Sequence, residues 1–155
     1  MKKITGYIIL AVFSFSITSA VTMAQMRDTR SPAEKAFEFR HGLMHTIEWK
    51  FSKLVEAKMK GDKSAFQKNA ADLAYLTTMI PEGFELKDSI VDDSKAKKEI
   101  WEDWDEFLQK AKNIQQAARE LSVPGYDPAA FDPRKFGGQN CGGCHRDFRE
   151  RDEDD

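Results

Sequence analysis

Two cysteines and a histidine with a characteristic spacing lie near the carboxyl terminus, in Cys141-Gly142-Gly143-Cys144-His145. This spacing attaches a c-type haem, because each thiol adds across one vinyl group to form a thioether and the histidine binds the iron. On a helix, positions three and four residues apart share a face, so Cys141, Cys144 and His145 can all address one flat ligand. The motif predicts a single covalent haem c, attached at Cys141 and Cys144, with His145 as an iron ligand.

Two other uses of a cysteine pair fit the rest of the sequence poorly. A thioredoxin-like motif would lie near alternating strands and helices, and the sequence has no such alternation. A zinc site would normally need a second pair of ligands, and the chain has no third cysteine. His41 and His45 are the only other histidines, so a mixed zinc site stays open with little support. One turn apart on a helix, these two histidines can in principle hold a metal, although the sequence offers no third ligand.

The first 24 residues have the three parts of a secretory signal peptide. Two lysines follow Met1, an apolar stretch spans residues 8–17, and small residues lead to Ala24 before Gln25. A cut after Ala20 is the other candidate. The apolar stretch is shorter than the about 20 residues of a membrane span, which disfavours an uncleaved anchor. We therefore expect a signal peptide at 1–24, a mature domain at 25–155, a periplasmic location and no stable membrane insertion after cleavage.

The charge pattern limits the possible partners of the mature chain. Loss of two lysines with the signal peptide changes the formal net charge from −2 to −4. The remaining Lys and Arg residues are dispersed and carry no aromatic interleaving of the kind that a nucleic-acid surface needs, so nucleic acid is not expected as a partner. No nucleophile, carboxylate pair or phosphate loop points to catalysis, and we predict that the protein is not an enzyme.

The segment between the signal and the haem motif has helical periodicity with clear start and stop signals. Ser31 and Glu34 form a capping box, and Gly61 ends the same helix. Asp62 and Asp132 are further caps, the second followed directly by proline. The predicted helices span 32–60, 63–80 and 94–123, with a fourth beginning at 133. Four helices with short connections predict an all-α fold, an antiparallel four-helix bundle.

One stripe of the first helix combines apolar residues with a charged one. Its predicted members are Phe37, Arg40, Met44, Ile47, Phe51, Leu54 and Val55. A buried guanidinium needs a partner, and a haem propionate would supply it through a bidentate pair; without haem, Arg40 would snorkel out of the bundle end. Met44 is either a gap-filler or a thioether facing iron. On the third helix, Trp101 and Trp104 can serve both the core and the haem.

In combination these features resemble class II c-type cytochromes, the family of cytochrome c′ and its low-spin relatives. The shared features are the terminal haem motif, the Arg-x-x-x-Met segment at 40–44, Pro81 to Phe84, Ile100-Trp101, and Cys-x-x-Cys-His-x-x-Phe-Arg at 141–149. The resemblance implies a haem between helices near one end of the bundle, with His145 as the proximal ligand. It further implies a propionate contact near His41 and a proximal shield at Arg149. Two glycines at 137 and 138 depart from the family and predict a bend or late start in the last helix.

Position 44 separates two functions within this family. In five-coordinate members an unligated apolar side chain closes the distal side, and the iron stays open to small gases such as nitric oxide. In low-spin relatives a methionine at the matching position binds the iron and raises its potential, which suits electron transfer. Met44 favours periplasmic electron transfer with an unidentified redox partner. Binding of nitric oxide or another small gas is the alternative.

An aromatic residue off the apolar stripe predicts a homodimer. At about 100° per residue, Trp49 lies half a turn from the stripe of the first helix. Tyr75 lies on the outer side of the second predicted helix. Because many cytochromes c′ dimerise through their first two helices, the resemblance implies that both residues belong to a subunit contact. The alternative is that Trp49 packs against a neighbouring loop.

Overall fold

The computed structural model describes residues 28–151, so the predicted signal peptide lies outside the described residues. The helices are α1 (Pro32–Lys60), α2 (Lys63–Leu76), α3 (Glu99–Glu102), α4 (Trp104–Leu121), α5 (Pro133–Phe136) and α6 (Gly142–Phe148). A π-helical turn at Gly137–Cys141 joins α5 to α6 and makes one carboxyl-terminal helix of the three pieces. This helix packs with α1, α2 and α4 in an antiparallel four-helix bundle, as the sequence predicted.

The predicted boundary signals of α1 are confirmed. The Ser31 hydroxyl accepts from the Glu34 amide at 3.2 Å, and the Glu34 carboxylate accepts from the Ser31 amide at 2.6 Å. Gly61 ends the helix in the left-handed region, with φ of 66°. The Asp62 carboxylate then accepts from the Ala65 amide at 2.9 Å and starts α2. A turn of only two residues therefore makes α1 and α2 antiparallel neighbours.

The second helix ends four residues before the predicted Ile80. After Leu76 the chain tightens into a 3₁₀ turn at Thr77–Met79. The Thr77 hydroxyl donates to the Ala74 carbonyl at 3.0 Å, and the Thr78 hydroxyl donates to the Tyr75 carbonyl at 2.7 Å. Because hydroxyls compete for the carbonyls that would continue the α-helix, this threonine pair ends it before Pro81 does.

The third long helix begins at Trp104, so the prediction of a start near Ser94 was wrong. Residues 95–97 are instead extended and pair with the end of the chain. Ala96 forms an antiparallel bridge with Arg149, and the Lys97 amide donates to the Phe148 carbonyl at 3.1 Å. Only the single turn α3 precedes α4. This pairing joins residues about fifty positions apart, which helical periodicity does not reveal.

The core consists of two aromatic clusters and an aliphatic seam between the helices. One cluster joins Phe51, Phe66, Phe131 and Phe136, and the other joins Phe84, Trp104, Phe107 and Phe148. On α1, Leu43 and Ala57 are buried, although the predicted stripe left them out. Phe37, Met44 and Phe51 of the stripe are only half-buried. Within residues 28–151, no helix has the length and apolar character to cross a membrane.

Candidate haem site

A cavity of about 750 Å³ opens between α1, α4, the carboxyl-terminal helix and the linker, residues 85–98, whose part at 93–96 lines it. This volume lies within the range of small-molecule and cofactor pockets. Most of the residues predicted for the site line it, namely Arg40, His41, Met44, Cys141, Cys144, His145 and Arg149. The apolar part of the wall includes the half-buried α1 residues Phe37, Met44 and Phe51. Their partial exposure is exposure to this cavity.

The two cysteines enter the cavity from the π-turn and from α6, and both are half-buried. Burial raises the pKa of the Cys141 thiol, and it raises the pKa of Cys144 to about 11. Reactive redox cysteines need the opposite shift, because the thiolate is the nucleophile. Within the described residues, no group of three or more His, Cys, Asp and Glu side chains converges as a metal site. Neither the thioredoxin-like nor the zinc alternative gains support.

His145 follows Cys144 directly and lies on the same cavity wall. Its side chain keeps much of its surface accessible because that surface faces the cavity. The surrounding atoms nevertheless lower its pKa by burial, and the positive charge of Arg149 lowers it further. Both effects favour the neutral imidazole, which is the form that binds iron.

Glycines and a strong cap position the motif on its helix. Asp132 accepts from the amides of Arg134 and Lys135, both at 3.0 Å, and Pro133 occupies the first helical position. The helix therefore begins where the sequence predicted, and a π-turn that starts at Gly137 lies within it. A π-turn adds one residue to a helical turn and rotates the residues after it around the helix axis. Cys141, at its end, lies beside the cavity as a result.

Lys110 is part of the site and was not predicted. Its Nζ atom donates to an Asp147 carboxylate oxygen at 2.6 Å and to the Gly143 carbonyl at 3.3 Å. These contacts tie α4 to the haem motif at the level of Cys144, and Lys110 also lines the cavity. In the sequence, Lys110 lies next to the apolar stripe of α4, but nothing in the sequence shows that its partners come from α6.

Arg40 is buried, with 4% of its surface exposed, and it has protein partners that the sequence did not predict. Its Nη2 atom donates to the Ser89 carbonyl at 2.6 Å and to the Ser94 hydroxyl at 3.1 Å. Its Nη1 atom donates to the Ser89 hydroxyl at 3.1 Å and to the Gly83 carbonyl at 3.5 Å. The guanidinium thus holds the linker and does not snorkel out of the bundle end. These bonds use the four Nη hydrogens and leave the Nε hydrogen for any cofactor contact.

Trp101 does not line the cavity, unlike the other predicted site residues. Its indole nitrogen donates to the Phe84 carbonyl at 2.7 Å, and the two rings lie 6.4 Å apart. Phe84 itself does line the cavity. Trp101 therefore contributes to the site indirectly, because it holds the backbone of Phe84, which lines the cavity.

The residues present fit a covalently attached haem. The cavity is mainly apolar, as a porphyrin requires, and the thiols and the imidazole of the motif lie together on one wall. Arg40 and Arg149 contribute basic side chains to its lining. A helical bundle with this motif on its last helix defines a class II c-type cytochrome.

Comparison with known proteins agrees with this class. Residues 35–149 match the family model described as Cytochrome C′. The chain is 31% identical over 147 residues to a cytochrome c-554 of Cereibacter sphaeroides, covering 90% of this chain and 94% of the relative. Cytochrome c prime from Shewanella frigidimarina superposes with a TM-score of 0.63 at 26% identity, over 79% of this chain and 99% of that one. Cytochrome c′ from "Rhodobacter Spheriodes" gives 0.63 at 27% identity, over 79% and 100%.

The chain belongs to the cytochrome c′ family. Members of this family bind a covalent c-type haem through two cysteines, which in this chain are Cys141 and Cys144.

Proposed function

We propose that this cytochrome transfers electrons in the periplasm through one low-spin haem, with His145 and Met44 as the iron ligands. The observation that carries the proposal is the position of Met44. Met44 is half-buried on the α1 wall of the cavity. The motif residues line the same cavity from the carboxyl-terminal helix. A thioether and an imidazole thus reach one cavity from two helices.

The haem supplies one-electron chemistry at its iron. Met44 would hold the iron as a soft neutral donor, which raises the reduction potential. Phe37, Ile47 and Phe107 line the same cavity and make its wall apolar. Because both ligands come from helices of a packed bundle, the surroundings need to move little when the charge changes.

The contacts toward the rest of the cofactor are part of the same proposal. Arg149 lies close enough to His145 for its charge to lower the histidine pKa, which fits a basic group on the proximal side. His41 and the free Nε hydrogen of Arg40 lie on the cavity wall, where they can meet propionates. Export by the segment at 1–24 would deliver the chain to the compartment where such haem is attached. We propose no catalytic turnover.

The decisive experiment is the spin state of the ferric holoprotein. We expect a low-spin absorption and EPR spectrum with a weak methionine-to-iron band toward the red. Met44→Leu keeps the apolar volume and removes the thioether, so it should give high-spin iron and a lower reduction potential. A wild-type protein that is already high-spin and five-coordinate would refute the proposal. Nitric oxide binding by the ferrous protein would then be the function to test.

A further inference from the structure

Two histidines outside the haem motif face each other on α1. His41 and His45 lie one helical turn apart, both side chains are exposed, and both lie at the cavity. Their Nε2 atoms are 3.2 Å apart, and the ring centroids are 4.5 Å apart with the planes nearly perpendicular. The two nitrogens therefore point toward the same small volume.

The separation of these nitrogens matches that of two imidazoles on one metal ion. Imidazole binds Zn²⁺ at about 2.0–2.1 Å, so two imidazoles on a tetrahedral ion have nitrogens ~3.3–3.4 Å apart. With bonds of similar length, adjacent donors of a square-planar Cu²⁺ site lie about 2.8–3.0 Å apart. The observed 3.2 Å falls between the two geometries. A divalent ion can thus bind both nitrogens with little change in their separation.

Neighbouring side chains lie against both rings. Phe37 stacks on His41 with centroids 5.3 Å apart and an interplanar angle of 18°. A Glu48 carboxylate oxygen lies 3.6 Å from Nδ1 of His45, on the side of the ring away from Nε2. Metal-binding histidines commonly donate their other ring N–H to a carboxylate, and Glu48 lies near enough to accept such a bond after a small movement.

We propose that His41 and His45 form a binding site for one divalent transition-metal ion of the Cu²⁺ and Zn²⁺ type. Since no cluster of three or more such ligand residues converges within residues 28–151, water completes the coordination. The ion is therefore exchangeable, and Cu²⁺ binds more tightly than Zn²⁺. This site uses neither the haem motif nor Met44, and it shares only His41 with the proposed propionate contacts. Ion titration tests the metal site and the ferric spin state tests the electron-transfer proposal, so the two can fail separately.

Titration of the ferric holoprotein with Zn²⁺ by calorimetry, and with Cu²⁺ by EPR, tests the site. We expect one equivalent of each ion, with hyperfine structure from two nitrogen donors on Cu²⁺. His41→Gln and His45→Gln should each weaken Zn²⁺ binding by about tenfold or more, and Glu48→Gln should weaken it by less. Haem absorption and far-UV circular dichroism establish that each variant is folded and loaded.

A matched control exchanges two neighbouring residues. The double variant His45→Thr with Thr46→His keeps the composition and moves the second imidazole about 100° around the helix. It should bind Zn²⁺ as weakly as the single variants. Equal binding by this variant and the wild type would overturn the proposal, as would a single nitrogen donor in the Cu²⁺ spectrum or no bound ion in the wild type.

Discussion

At the scale of single residues, Arg40 has the most consequential environment outside the haem motif. Its guanidinium donates to both serines of the linker and to the Gly83 carbonyl, and it lies 5.5 Å from the ring centroids of Phe37 and Phe84. Gly83 is needed for this approach, because a Cβ there would lie 2.7 Å from Cβ of Arg40. The linker on the cavity wall is therefore held by one side chain from α1.

Arg40→Met should lower the free energy of unfolding by about 2–4 kcal/mol, because the buried acceptors of the linker lose their donors. Arg40→Lys should recover only part of this, since one ammonium cannot reach both serines as a fork does. Ser94→Ala removes one hydroxyl acceptor of Arg40, which also accepts from the Ala96 amide. It should lower the free energy of unfolding by about 1 kcal/mol. Urea unfolding of the holoproteins measures all three values. An Arg40→Met protein as stable as the wild type would contradict this role.

At the scale of elements, α1 and α2 are joined by an ion pair as well as by their apolar seam. Lys50 on α1 donates to the Asp72 carboxylate at 2.6 Å, and Lys68 on α2 donates to the same oxygen at 2.8 Å. Hydrogen bonds from these two lysines, Lys50 first, lower the pKa of Asp72. The pair is partly solvent-exposed, so its stabilisation is modest.

Asp72→Asn should lower the free energy of unfolding at pH 7 by about 0.5–1 kcal/mol. Because the folded-state pKa lies below the unfolded value of about 3.9, the contribution is complete above that value. It is lost as the pH falls through the lower, folded-state pKa. Lys50→Gln should reproduce most of the effect and Lys68→Gln less, since only Lys50 links the two helices. Urea unfolding of the wild type and of Asp72→Asn at a series of acidic to neutral pH values measures this. An equal difference in their free energies of unfolding at every pH would contradict the prediction.

Alanine substitutions at two glycines should change the stability of the protein in opposite directions. Gly138 lies in the π-turn with open space where a Cβ would be and without a positive φ. Gly138→Ala should therefore stabilise the carboxyl-terminal helix by about 0.5–1 kcal/mol. Gly61 has a φ of 66°, so Gly61→Ala should lower the free energy of unfolding by about 1 kcal/mol. Thermal unfolding of both variants measures the contrast, and a destabilised Gly138→Ala would show that the π-turn requires glycine.

At the scale of the whole molecule, exposed aromatic side chains on α1 and α2 predict a homodimer. Trp49 is 56% exposed and Tyr75 is 66% exposed, and both lie on the outer faces of these helices. The ammonium groups of Lys50 and Lys53 lie 5.0 and 5.9 Å from the centroid of the Trp49 ring. A dimer interface centred on Trp49 would therefore have a polar rim. Large exposed aromatics of this kind are typical of interface cores.

Sedimentation equilibrium at micromolar concentration should give the dimer mass, and Trp49→Glu should give the monomer. Val123→Glu changes another exposed apolar residue, in the loop after α4, and should leave the dimer intact. A monomeric wild type would refute the dimer. A dimer that survives Trp49→Glu would place the interface on another surface.

The sequence by itself determined the features whose physical causes are local. The haem motif can be recognised from the sequence because thioether formation and iron binding require two cysteines and a histidine at fixed positions within five residues. The capping box at Ser31, the left-handed Gly61 and the Asp132 cap act within about four residues of the chain, so their types and spacing predicted two helix starts and an end. These features and the apolar stripes together predicted the four-helix bundle.

The tertiary structure decided what depends on distant parts of the chain. Arg40 binds Ser89 and Ser94, which lie 49 and 54 residues away, and Lys110 binds Asp147, 37 residues away. The pairing of residues 95–97 with the chain end keeps them extended, so helix begins only at α3, and a break at Asp103 separates α3 from α4. The packing also decided which apolar residues of α1 face the cavity and which are buried. Only the three-dimensional arrangement brings such partners together, because nothing in local periodicity specifies them.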